Sequence, residues 1–215
     1  MALQDKLDVL HREIIAEVPE MAAKFDADTE DLIRKGIGSN SLKVNDTAPD
    51  FELPDQHYRT VRSVDLREKG PLVVAFYRGN WCPYCNLELN ALQQYRPRIT
   101  ELGASLVAIS PQLPDVSAAT AETHGLSFPV LSDVGNVLAR KFGLVFVLSE
   151  HLRPLYAEFG IDIPKSNGDD TFELPIAGTF VIDRSGKIIA AFADIDYKKR
   201  MEPSQIVEVL TELQK

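Results

Sequence analysis

The chain has 215 residues, 45% of them hydrophobic, enough to bury one substantial core with an appended segment. Its 23 lysines and arginines against 32 aspartates and glutamates leave a formal charge of −9, which makes nucleic acid and anionic membrane poor partners. No run approaches a membrane span, and the opening Met1-Ala2-Leu3-Gln4-Asp5-Lys6 lacks the basic end and apolar stretch of a secretory signal, so the expected location is cytoplasmic.

Leu3, Leu7, Leu10, Ile14, Val18, Met21 and Phe25 step by threes and fours, which predicts a helical stripe. Leu32 and Ile33 fall in a second short helix ended by Gly36 and Gly38. Such an arm must cover its stripe, either on its own body or on a second copy of the chain, as a homo-oligomer contact. Gly38-Ser39-Asn40-Ser41 reads as a linker, dividing a helical extension, residues 1–41, from a domain, residues 42–215.

From there strand and helix alternate. Phe51–Leu53 is a short edge piece, and Leu72–Tyr77 is a continuous apolar strand of the kind buried on both faces. A helix is expected over Asn86–Gln94, bent or ended by Pro97, then a buried strand over Ser105–Ile109. Helix over Val116–His124, strand over Phe128–Leu131, helix over Asn136–Phe142 and strand over Leu144–Leu148 follow; Leu152–Phe159 fits helix or loop. Thr179–Ile182 and Lys187–Phe192 flank Asp183-Arg184-Ser185-Gly186, a hairpin turn. Ser204–Leu213, after Pro203, makes a closing amphipathic helix. This order predicts a three-layer α/β domain.

The chain's two cysteines lie in Trp81-Cys82-Pro83-Tyr84-Cys85, where the apolar strand hands over to a helix. Pro83 suits the first helical position, making Cys82 the N-cap and placing Cys85 in the first turn. Free backbone N–H groups and the positive end of the helix dipole then favour a thiolate, with a pKa of roughly 3.5–7.5. Residues three apart on a helix are neighbours, so a disulfide can close with little backbone movement. In a reducing compartment, Cys-x-x-Cys between strand and helix reads as a redox centre rather than a structural bridge. A zinc site wants a second ligand pair, and His11, His57, His124 and His151 lack ligand spacing, so no metal and no other cofactor is expected.

Four blocks in order carry a family resemblance: Ala48-Pro49-Asp50-Phe51-Glu52-Leu53, Val74–Cys85, Phe128-Pro129-Val130-Leu131-Ser132-Asp133 and Gly178-Thr179-Phe180-Val181-Ile182-Asp183. From Asp46 onward the chain resembles the peroxiredoxins of the alkyl hydroperoxide reductase and thiol-specific antioxidant family, in a branch carrying Cys-x-x-Cys. The resemblance implies a thioredoxin-like fold with a central mixed sheet behind the N-terminal helical extension. It puts the peroxide-attacking cysteine on Cys85 and the family's glutamate on Glu88. Cys82 replaces the family's threonine and becomes the resolving partner; Arg78 replaces the opening proline. The family's distant arginine would fall near Ala177 and is missing, which makes Arg78 a candidate for the positive charge. Trp81 and Tyr84 are supporting candidates beside the sulfurs. Read instead as a thioredoxin, the same segment makes Cys82 the attacker and Cys85 its partner.

The activity implied is reduction of hydrogen peroxide and organic hydroperoxides through a sulfenic acid and a Cys82–Cys85 disulfide, with thioredoxin or glutaredoxin as reductant. The rival is a thiol–disulfide oxidoreductase with little peroxidase activity, which the lost threonine and arginine favour.

Overall fold

A computed structural model describes residues 1–214. The apolar stripe at the start forms two helices rather than one, α1 (Leu3–Glu17) and α2 (Pro19–Arg34). The break falls at Val18 because Pro19 has no N–H to continue the ladder and starts the next helix instead. The second helix is also far longer than the short one expected around Leu32 and Ile33. The arm packs on its own body: Leu3 and Leu7 are buried in the same apolar cluster as both cysteines. The backbone N–H groups of Leu3 and Gln4 donate to the Glu202 carboxylate at 3.0 and 2.7 Å, and Lys198 Nζ lies 2.6 Å from Asp26 Oδ1.

After α2 come a small antiparallel pair, β1 (Glu52–Pro54) with β2 (Thr60–Arg62), and α3 (Ser63–Lys69). Only the first of these left a signal in the sequence. Then follow β3 (Leu72–Phe76), α4 (Pro83–Glu101), β4 (Ser105–Ser110), α5 (Pro114–Thr123), β5 (Val130–Ser132), α6 (Val137–Lys141) and β6 (Val145–Val147). Leu152–Phe159 resolves as helix, α7 (Arg153–Glu158), entered through a 3-10 turn. The chain closes with α8 (Ile163–Asn167), β7 (Glu173–Pro175), β8 (Gly178–Ile182), β9 (Ile188–Ala193) and α9 (Pro203–Glu212). Neither α8 nor β7 was expected. Helix α4 runs through Pro97, which lies on the exposed side, where the carbonyl it frees can turn to water.

The main sheet has the order β5-β4-β3-β8-β9. Strand β3 pairs parallel with β4 and antiparallel with β8, so the sheet is mixed. Side chains of β3 alternate between two cores, as the pleat requires. Val73 and Ala75 join the cluster under α4 and α9, while Leu72, Val74 and Phe76 join the one under α6 and α7. These three layers are the α/β architecture the alternation predicts, and they deliver the end of β3 to the start of α4.

Candidate active site

Between β3 and α4 the chain turns through Arg78-Gly79-Asn80-Trp81. Gln112 fixes this turn, accepting from the Asn80 N–H at 3.0 Å and donating to Asn80 Oδ1 at 2.9 Å. Asn86 Nδ2 donates to the Asn80 carbonyl at 2.8 Å. Gly79 has φ +158°, and a Cβ there would come 2.4 Å from Trp81 Nε1, so the indole packs where a side chain would stand. Cys82 is the N-cap of α4 and Pro83 its first residue, with Cys85 one turn in. Both thiols are free.

The two sulfurs differ. Cys85 is 0% exposed, on the core side. Cys82 is 3% exposed and lines a cleft of about 590 Å³ that Cys85 does not reach. Burial alone would raise both thiols. At Cys82 it is outweighed by the hydrogen bond with Cys85 and by the charges of Arg78 and Arg200, which bring the pKa down to about 6. At Cys85 burial dominates, the neighbouring Cys82 adds to it, and the thiol is held well above its ordinary range. One thiolate shared by two sulfurs therefore rests on Cys82 in this reduced form.

Arg200, in the loop between β9 and α9, supplies charge from the core side. Its Nη2 lies 3.5 Å from Cys85 Sγ, and its Nε donates to Glu88 Oε2 at 2.6 Å. Further donations go to the carbonyls of Tyr197 and Lys199, and Thr179 Oγ1 donates to Glu88 Oε1 at 3.2 Å. Glu88 is thus in an ion pair, though not a solvated one. Burial raises its pKa even against the opposing pull of Arg200.

Arg78 works from the cleft side. It is 7% exposed rather than solvated at a strand end. Its guanidinium carbon sits 4.8, 5.6 and 5.8 Å from the ring centres of Tyr197, Phe146 and Trp81, and Nη2 donates to Tyr156 Oη at 3.3 Å. Two buried donors here, Arg78 Nε and Trp81 Nε1, have no partner among the described residues.

The structure brings Arg78, Trp81, Cys82 and Tyr84 to the cleft and places Cys85 and Glu88 behind it. Two participants had no sequence signal. Arg200 stands 115 residues from Cys85 in the chain and brings a buried guanidinium beside that sulfur. His11, on α1, lines the cleft, and its Nδ1 lies 3.0 Å from Tyr84 Oη while Nε2 lies 3.5 Å from Asp26. Only the arm's apolar stripe pointed toward a packing role for this segment. Among the described residues, no group of three or more His, Cys, Asp or Glu could hold a metal ion, and no helix is long and apolar enough to cross a membrane.

A mixed sheet that delivers a Cys-x-x-Cys to a helix N-terminus defines a thioredoxin-fold thiol redox protein. Residues 44–191 match the AhpC/TSA family, and the chain belongs to it. Peroxiredoxin Bcp of Escherichia coli K12 is 29% identical over 155 residues, covering 72% of this chain and 88% of that one. The crystal structure of peroxidoxin BcpB from Mycobacterium tuberculosis superposes with TM-score 0.64 at 26% identity, over 81% of this chain and 99% of the other. AhpC of Mycobacterium tuberculosis shares the fold, with TM-score 0.60 at 18% identity over 81% of this chain and 94% of its own. The protein is an oxidoreductase of the peroxidase class, acting on peroxide with a thiol reductant.

Proposed function

We propose that the chain reduces hydroperoxides through the Cys82–Cys85 pair, with Cys82 as the attacking sulfur and Cys85 as the resolving one. A single observation carries this order: Cys82 faces the cleft with its pKa near 6, whereas Cys85 is buried behind it and held protonated. The Cys82 thiolate attacks one peroxide oxygen, the O–O bond breaks, and the departing oxygen takes a proton to leave as alcohol or water. The sulfenic acid formed on Cys82 is then attacked by Cys85, releasing water and closing the disulfide. A dithiol of the thioredoxin or glutaredoxin kind returns two electrons by exchange. The free N–H groups at the start of α4 and the unpartnered Arg78 Nε and Trp81 Nε1 are candidate donors to the peroxide oxygens.

A second reading keeps attack on Cys85, where the family motif puts it, and it is favoured by the contact of Arg200 with that sulfur. Single-turnover peroxide consumption by reduced wild type, Cys82→Ser and Cys85→Ser, with sulfenic acid trapping, separates the two. Fast reaction kept in Cys85→Ser and lost in Cys82→Ser supports the order proposed; the opposite pattern supports the second. Slow reaction in the wild type as well, with rapid reduction of protein disulfides, would leave a thiol–disulfide oxidoreductase.

A further inference from the structure

One wall of the cleft over Cys82 is built by a segment outside the family match. That match begins at residue 44, yet Ile14, Val18, Met21, Ala22 and Phe25 of the arm line the cleft. They face Trp81, Tyr156, Phe159 and Ile161 of the body, so both walls are predominantly apolar. Polar contacts that fix the arm in place include Glu202 at the start of α1, Asp26 with Lys198, Asp28 with His151, and His11 with Tyr84.

We propose that the α1–α2 hairpin is the selecting wall of the site, favouring hydroperoxides with a bulky apolar body over hydrogen peroxide. The inference rests on the peroxidase reading above. A cleft of about 590 Å³ falls in the size range of pockets that hold whole small molecules. Hydrogen peroxide, with two heavy atoms, would touch the sulfur and leave these walls without contacts. An apolar body would fill them, removing its own surface and theirs from water. Cys82 lies beneath the cleft at 3% exposure, so in the reduced form a peroxide reaches it by entering the cleft. The chemistry keeps the body in place: the thiolate takes the terminal oxygen as S–OH, the O–O bond breaks, and the protonated alkoxide departs as the alcohol still carrying its apolar group.

The test uses the full chain and two probes, cumene hydroperoxide and hydrogen peroxide. Their second-order rate constants are measured for reduced wild type, Ile14→Asn/Met21→Asn and the conservative Ile14→Val/Met21→Leu. Both positions are only partly buried, so the polar pair can fold. The expected result is a ratio of cumene hydroperoxide to hydrogen peroxide rates that falls by about tenfold in the asparagine pair and recovers in the conservative pair. A purely structural role would lower both rates together, and an unchanged ratio overturns the inference while leaving the peroxidase reading intact. Slow reaction of the wild type with both peroxides overturns that reading and the inference with it. Trp81, the chain's one tryptophan, gives a second readout. Saturable quenching of its fluorescence by cumyl alcohol in the wild type, weakened in the asparagine pair, supports the wall; no saturable quenching in the wild type counts against it.

Discussion

Cys82 and Cys85 leave one turn of one helix, yet they face different surroundings. Behind Cys85 the charges are paired and sealed: Arg200 and Glu88 satisfy one another, with Thr179 and two backbone carbonyls completing the set. In front of Cys82 Arg78 has aromatic rings and one tyrosine hydroxyl around it and, among the described residues, no carboxylate partner. A paired arginine offers a sulfur less than an unpaired one, because its field is already answered by a carboxylate. The two regions thus differ in charge as well as in depth, and the deeper burial of Cys85 with its hydrogen bond to Cys82 leaves the thiolate on Cys82.

Breaking the sealed side should have the largest effect. Glu88→Ala leaves Arg200 charged and buried, and is expected to destabilise the protein by about 3–5 kcal/mol in chemical denaturation. The pair Glu88→Leu/Arg200→Met should cost less than the two single changes added together. Equal or additive losses would mean that the two charges are not coupled.

The open side is sharpened by Arg78→Ala. Loss of the cation beside Cys82 should raise that thiol by about one unit, or ~1.4 kcal/mol, read from the ultraviolet absorbance of the thiolate against pH. An unmoved titration would remove Arg78 from the site's electrostatics. The wild-type pH profile carries the same comparison. Peroxide consumption should fall as the pH drops through about 6, where Cys82 takes up its proton, and level off above it. Stability of the reduced protein follows the same sign, since the folded pKa lies below the unfolded value of about 8.5. The contribution is fully present above that unfolded value and is lost as the pH falls toward 6. Cys85, shifted upward, opposes it only near and above its own unfolded value.

The smallest effect is expected at the seam between arm and body. Tyr84→Phe removes the contact with His11 and should cost about 1 kcal/mol, measured by thermal or chemical unfolding.

What the sequence made legible was local. Leu72–Tyr77 announced a buried strand by its unbroken apolar run, and the two cysteines announced a redox turn by lying where that strand met a helix. Pro19 marked the break in the arm as plainly as Pro83 marked the start of α4, but the apolar stripe continues across the turn and concealed it. Arg200 and His11 were not legible, because each reaches the site from a different part of the chain and neither sits in a recognisable spacing. Arg78 could be named from its position, but its burial depends on Phe146, Tyr156 and Tyr197, which only the folded chain gathers around it. Helices α3 and α8 are short surface elements whose few apolar residues carry no period long enough to read.

Glu202 stands at the head of the last helix and holds the first backbone amides of α1. Because it grips main chain rather than side chains, the latch is indifferent to which residues occupy positions 3 and 4. A single change at position 202 should unfasten the front of the arm while leaving every residue of the cleft in the sequence. The chain thus carries a release point remote from its sulfurs, at which the wall can be loosened without altering the chemistry it encloses.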